Sequence, residues 1–205
     1  MAPKTYIVEH LDDELGSWSE LEYVSIAKES KDAGDKFCLC SVPITLVVPE
    51  SLKTVAGLSI DNRSVESIYA HDKERVCLLD PRAPNELTPA DDKLFDVFLF
   101  GGILGDDPPR DRTSELRAKG FHGRRLGATQ MTTDTAVRVT RLVIQKQKRL
   151  DEIPYNDEPE IQINKHESIS MPFRYVQNAA GNPVMPDGMI DLIKKDSEKS
   201  FDDLF

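Results

Sequence analysis

The chemistry this sequence offers most plainly is bare backbone. Gly101-Gly102 follow the short apolar run Phe-Asp-Val-Phe-Leu-Phe of residues 95–100, and Gly105 stands three residues further on. Glycines just past the carboxyl end of a strand let a ligand touch the main chain, because no Cβ stands in the way. A second small-residue loop, Gly-Ala-Thr-Gln-Met-Thr-Thr at residues 127–133, follows a short strand near residues 123–126 and leads into a long helix. Two such loops after two neighbouring strands make a pocket, and we read it as a cofactor pocket. A lone Gly-Gly after a strand would be only a tight turn. The spacing is not that of the dinucleotide fingerprint, and no Gly-Lys-Ser/Thr follows as a phosphate loop requires.

The elements that must position these loops alternate along the chain. Strands are expected at residues 6–8, 37–42, 76–79, 95–100 and 123–126. Ser17 and Glu20 have capping-box spacing ahead of a helix carrying Trp18, Leu21 and Val24 on one face. A short helix starts at Pro49-Glu50, and Thr88-Pro89 supplies an N-cap and a first-turn proline. Asp111 can cap a helix over residues 112–119, closed by Gly120. The helix from Thr133 sets Ala136, Val139, Thr140 and Val143 at helical spacing, which is a core face. Residues 62–73 receive no assignment. Strands alternating with helices imply an α/β fold, a mostly parallel sheet with helices on both faces. Ligands in such sheets bind beyond the carboxyl ends of the strands. Glu9-His10, Asp80-Pro81-Arg82, residues 101–107 and residues 127–133 should therefore share one rim.

The totals fit one domain with an extended tail: 205 residues, 39% apolar and 30% charged. Residues 1–150 are expected to form the domain and residues 151–205 an acidic arm packed on it. No apolar run approaches the ~20 residues of a membrane span. The N-terminus lacks the marks of a signal or transit peptide. Cys38 and Cys40, two apart, fall on one strand face and are not a Cys-x-x-Cys, so buried reduced thiols in a cytoplasmic protein are expected and no metal is implied. Net charge is −10 but uneven: residues 110–149 hold 11 Lys/Arg against 3 Asp/Glu, and residues 151–205 hold 5 against 12. The basic band can meet phosphates or pair with its own acidic flanks. The overall sign argues against a large nucleic-acid footprint and suits a basic protein partner.

Several longer motifs carry a resemblance. Arg-Val-Cys-Leu-Leu-Asp-Pro-Arg-Ala from Arg75, Phe-Leu-Phe-Gly-Gly-Ile-Leu-Gly-Asp from Phe98 and Pro-Pro-Arg-Asp-Arg-Thr from Pro108 are three of them. Arg124-Arg-Leu-Gly with Gln-Met-Thr-Thr-Asp-Thr-Ala from Gln130, and Met-Pro-Phe-Arg-Tyr-Val from Met171, are the others. From Tyr6 to the C-terminus the chain resembles the SPOUT-class protein arginine methyltransferases of fungi, which modify a small-subunit ribosomal protein. The resemblance is weakest over residues 43–72. The wider SPOUT turn Ser-Pro-Gln-Gly would fall at Asp80-Pro-Arg-Ala, which departs from it at three of four positions. The resemblance implies a deep C-terminal trefoil knot with S-adenosylmethionine bent inside it. It implies cofactor contacts at Leu79, Pro81, Phe100, Gly101, Gly102, Leu104, Gly105, Leu126, Gly127, Gln130, Met131, Thr132 and Thr133. It also raises the RNA methyltransferases of the SPOUT class as the alternative activity, with a catalytically silent binding module as a third reading.

Methyl transfer to a guanidinium needs alignment more than acid–base power, because the sulfonium carbon is already activated. A carboxylate pair can grip two guanidinium nitrogens while the third attacks. Rim acids are Glu9, Asp106, Asp107 and Asp111. Glu9 and Asp106 are the expected catalytic pair, and Asp111 reads first as a helix cap. Arg110 and Arg112 could hold the cofactor's carboxylate or pair with nearby acids. His10 reads as a surface or hinge residue. The arm, long enough to cover the face a second subunit would use, makes a monomer the expected state.

Overall fold

The computed structural model describes residues 2–10, 12–101, 111, 113–164 and 167–202, with side chains through residue 197. Its centre is a six-stranded sheet in which every pairing is parallel. In chain order the elements are β1 (Thr5–Glu9), α1 (Ser17–Asp32), β2 (Lys36–Cys40), α2 (Glu50–Thr54), β3 (Leu58–Ile60), α3 (Val65–Ile68), β4 (Val76–Leu79), β5 (Val97–Gly101), α4 (Ser114–Ala118), β6 (His122–Arg124) and α5 (Thr133–Gln145). The strand order is β3-β2-β1-β5-β4-β6. The order in which strands are added therefore reverses at β1: the chain runs outward through β2 and β3 and then crosses to the other side for β4, β5 and β6, with β5 between β1 and β4.

Continuous apolar sequence produces this layering. Val-Cys-Leu-Leu of β4 and all of β5 are buried on both faces, as strands sandwiched between helices must be. Tyr6, Val8, Cys77, Leu79, Phe98 and Phe100 face one core together with α1 and α5. Ile7, Val76, Leu78, Val97 and Leu99 face the other, closed by Val65 of α3, Leu116 of α4 and Phe121. Each such side chain contributes ~1.5–3 kcal/mol on burial. At the amino end of the sheet, buried Lys4 donates from Nζ to the carbonyls of Asp92 (2.7 Å) and Phe95 (2.8 Å) and pairs with Asp92. Its ammonium thereby fixes the start of β1 against the entry to β5.

Among the described residues, much of the basic band pairs internally. Arg117 binds Asp80 and Asp111, Arg124 binds Asp91, Arg138 binds Glu29 and Asp134, and Arg141 binds Glu29 and Asp35. Arg138 and Arg141, themselves nearly buried, join α5 to α1 through ion pairs with the partly exposed Glu29.

Beyond α5 the chain forms four short strands, β7 (Tyr155–Asp157), β8 (Glu160–Gln162), β9 (Ser168–Ser170) and β10 (Arg174–Val176), and then α6 (Met189–Asp202). Strands β7 and β10 pair antiparallel, as do β8 and β9. Ile161, Met171, Phe173, Tyr175, Met189 and Ile193 make a third apolar cluster, against which Trp18 and Leu21 of α1 pack.

Several local expectations change. Gly16, not Ser17, stands at the N-cap of α1, and the Glu20 carboxylate accepts from Ser51 of α2 instead of closing a capping box. Helix α4 begins two residues later than expected. The Asp111 carboxylate accepts from Thr113 and Arg117, while its carbonyl accepts from Ser114. Strand β3 and helix α3 fall in stretches that carried no assignment. His10 is not a surface residue; it is 2% exposed, and its Nδ1 lies 3.3 Å from the Tyr23 hydroxyl. Burial pushes that imidazole's pKa down.

Candidate functional site

A cavity of about 350 Å³ opens beyond the carboxyl ends of β5, β4 and β6. That size falls within the ~300–1,000 Å³ of small-molecule sites. Leu79 and Phe100, the last inward residues of β4 and β5, form its apolar floor with Leu126, Met131 and Ala136. Residues 127–130 supply partly exposed main chain along one side, where the buried Gly101 also meets the cavity. Gly127 has φ +94°, a left-handed conformation that disfavours side chains, and a Cβ built on it would meet no atom within 4 Å. Open space therefore lies on the side of that backbone where a side chain would otherwise stand.

Three sets of contacts fix these loops. Asp80 N donates to Arg124 O at 2.8 Å, Leu87 N to Arg125 O at 2.9 Å and Arg125 N to Asn85 O at 2.9 Å. The chain leaving β6 is thus bonded to the loop leaving β4. Glu22 of α1 accepts from Thr133 N at 3.1 Å, holding the first residue of α5 from outside the helix. Arg174 N donates to Gln130 O at 2.8 Å, so the segment after α5 reaches the cavity loop directly.

The polar end of the cavity is Asp80, Arg82, Asp111 and Thr113. Asp80, 2% exposed, accepts from Arg117 Nε at 2.6 Å and Nη2 at 2.8 Å. It also accepts from Thr113 Oγ1 and the backbone of Arg82, each at 3.0 Å. Burial alone would raise the Asp80 pKa, but these donors hold it below the usual carboxylate range. Arg117 likewise keeps Asp111 low. The Arg117 guanidinium is pushed up, first by Asp80 and then by Asp111.

Of the residues expected to meet a cofactor, Leu79, Pro81, Phe100, Gly101, Leu126, Gly127, Gln130, Met131 and Thr133 line this cavity. Thr132 does not: its hydroxyl is turned to Asp134 (2.7 Å) and Thr135 (2.8 Å) at the start of α5. Gly102, Leu104, Gly105, Asp106, Asp107, Arg110 and Arg112 lie outside the described residues. Glu9 is 1% exposed and is not in the cavity wall. One of its oxygens accepts from Ser41 Oγ at 2.6 Å and the other from Val65 N at 3.0 Å. The sequence reading missed Ala136, taken as plain core, and Thr113, whereas Ala128 and Thr129 fall in the loop it already placed at the pocket. Ala136 could have been suspected, since it is the first-turn member of the apolar stripe and sits nearest the loop.

Fold and cavity together define a parallel α/β protein that takes a small-molecule ligand at the ends of its central strands. The chain belongs to the SFM1-like family, described as protein arginine N-methyltransferase SFM1-like, whose profile it matches over residues 5–200. It is 44% identical over 214 residues to the protein arginine N-methyltransferase SFM1 of Saccharomyces cerevisiae, an alignment covering 97% of this chain and 98% of that protein. The crystal structure of the yeast arginine methyltransferase SFM1 complexed with SAM superposes with a TM-score of 0.87 at 42% identity, over 97% of this chain and 93% of that one. The dual-specific Trm10 of Thermococcus kodakaraensis, 15% identical, superposes with a TM-score of 0.52 over 74% of this chain and 96% of that one, and shares the fold.

Proposed function

We propose that the chain is an S-adenosylmethionine-dependent methyltransferase that modifies an arginine side chain of a small-subunit ribosomal protein. The observation that carries this reading is the cavity itself, built from the expected loops in a chain that superposes on SAM-bound SFM1. Its residues fit the cofactor. Leu79, Phe100, Leu126, Met131 and Ala136 offer flat apolar contact for a purine, and the bare main chain at residues 127–130 offers N–H and C=O groups to its edge. The cofactor, when bound, supplies a methyl group on a sulfonium already prone to attack. What the protein adds is alignment. The cross-bonded loops after β4 and β6 hold one reactant, and the walls exclude water.

An arginine keeps its proton at neutral pH, its pKa being ~13 or above, so a carboxylate must steady the charge while one nitrogen turns to attack. Asp106 remains the proposed grip. Glu9 has both oxygens committed within the chain, which favours a supporting role at the rim. Three features support a knotted SPOUT arrangement, in which the chain leaving β6 threads the loop between β4 and β5. These are its hydrogen bonds to residues 80, 85 and 87, the position of α5 beyond that loop, and the Trm10 likeness. We read residues 151–205 as a cover that replaces a second subunit, giving a monomer. The acidic composition suits a basic protein substrate, and the unpaired cysteines suit the cytoplasm. Internal pairing of Arg117, Arg124, Arg138 and Arg141 weakens the support for an RNA substrate. Tritiated methyl transfer into a lysate lacking the enzyme tests the reading. Label in arginine of a small-subunit ribosomal protein is expected, and label in RNA would overturn it.

A further inference from the structure

Among the described residues that line the cavity, one is itself an arginine. Arg82 follows the end of β4 by three residues, in a turn fixed by Asp80. The buried Asp80 carboxylate accepts from Arg82 N at 3.0 Å, and Asp80 O accepts from Ala83 N at 2.9 Å. The backbone of Arg82 is therefore held while its side chain is 70% exposed. Its guanidinium pairs through Nη1 with Asp111 Oδ2 at 3.3 Å. Arg117 contrasts with it: bonds to both Asp80 and Asp111 occupy its three nitrogens, and it does not line the cavity. Arg82 has five donors and, among the described residues, its guanidinium makes this one modest contact, on a long swinging side chain. Asp111 cannot follow that swing, because Arg117 and Thr113 hold it from behind. An exposed guanidinium steadied by a fixed carboxylate, in the wall of the methyl-transfer cavity, presents what a substrate arginine must present.

We infer that Arg82 is a site of self-methylation. The inference rests on the proposed activity. In the step, a lone pair on an Arg82 Nη attacks the sulfonium methyl carbon, and the N–C bond forms as the S–C bond breaks. The S–C electron pair stays on sulfur, giving the neutral thioether S-adenosylhomocysteine, and one N–H proton is lost to water. Methylation keeps the guanidinium charge but reduces its donors, so the modified side chain pairs less well with Asp111.

The test incubates the purified full chain with tritiated S-adenosylmethionine and no other protein, followed by peptide mapping. One labelled arginine, Arg82, is expected, with a first-order rate constant (fraction labelled per unit time) independent of protein concentration. The Arg82→Lys variant should carry no label. Two controls separate the failures. Transfer to lysate protein without label on Arg82 would overturn this inference while leaving the proposed activity standing. No transfer to any protein would remove the activity and the inference with it. Calorimetry with S-adenosylmethionine on Arg82→Lys excludes a different role. A tenfold or greater loss of affinity, with wild-type Arg82 unlabelled, would assign the side chain to holding the cofactor's carboxylate and overturn the proposal.

Discussion

At the scale of single residues, Glu9 shows how a rim acid can be read two ways. Sequence places it at the end of β1, where a substrate guanidinium would pass. The structure commits one oxygen to Ser41 and the other to Val65 N, the first residue of α3. Removing that acceptor leaves a buried N–H unpaired, which costs ~1–3 kcal/mol. Glu9→Ala should therefore lower the stability measured by urea unfolding by about that amount, whereas Glu9→Gln retains an acceptor and should lose less. Methyl-transfer rates in Glu9→Gln should stay within a few-fold of wild type. A loss of ~10²-fold with unchanged stability and cofactor affinity, the usual scale for an electrostatic catalytic contact, would return Glu9 to the guanidinium grip.

The docking of whole elements depends on groups far apart in sequence. Glu22 on α1 caps the backbone of α5 at Thr133 and lies beside Asp134. Burial first, and the neighbouring Asp134 next, push the Glu22 carboxyl well above its ordinary value near 4.5. A folded acid with a raised pKa contributes stability that is fully present below the unfolded value and is lost as pH rises through the folded one. The Glu22 contribution to stability should therefore decline from about pH 4.5 upward. In Glu22→Gln that portion of the decline should vanish, because the amide accepts from Thr133 N and never ionises. Urea midpoints across this range check it, and an unchanged slope in the variant would show that Glu22 is not the titrating group. Nothing in the sequence marks this contact, since Glu22 and Thr133 are 111 residues apart. By contrast β4 and β5 were legible, because runs such as Val-Cys-Leu-Leu have no polar face to hide. Strand β3 was not, being three residues of which only Leu58 is turned partly inward. Strands β7 to β9 were illegible for the same reason: Tyr-Asn-Asp, Glu-Ile-Gln and Ser-Ile-Ser are too short to show a period. The Ser17–Glu20 spacing misled because Ser51, a tertiary neighbour, took the glutamate first. The cavity loops could be read because the order of strands and helices alone places their ends on one rim.

At the scale of the whole molecule, the segment after α5 covers α1 and reaches the cavity. Its apolar cluster packs on Trp18 and Leu21, and Arg174 N is bonded to Gln130 O. A chain ending at Leu150 would expose those side chains and free the loop at residues 127–133. Sedimentation equilibrium at micromolar concentration should return a monomer for the full chain. The shortened chain should self-associate and bind S-adenosylmethionine at least tenfold more weakly. A dimeric full chain would contradict the cover reading, as would a shortened chain that stays monomeric with full affinity.

The central claim is that the cavity beyond β4, β5 and β6 holds the methyl donor, and calorimetry tests it most directly. Ala136 lines the cavity from the first turn of α5 and is half-buried, so Ala136→Trp fills the space without altering a loop or a strand. Wild type should bind S-adenosylmethionine at one site. The tryptophan variant, with an unchanged circular dichroism spectrum and a cooperative unfolding transition, should show no heat of binding. Equal affinity in the two proteins would place the cofactor elsewhere and contradict the account.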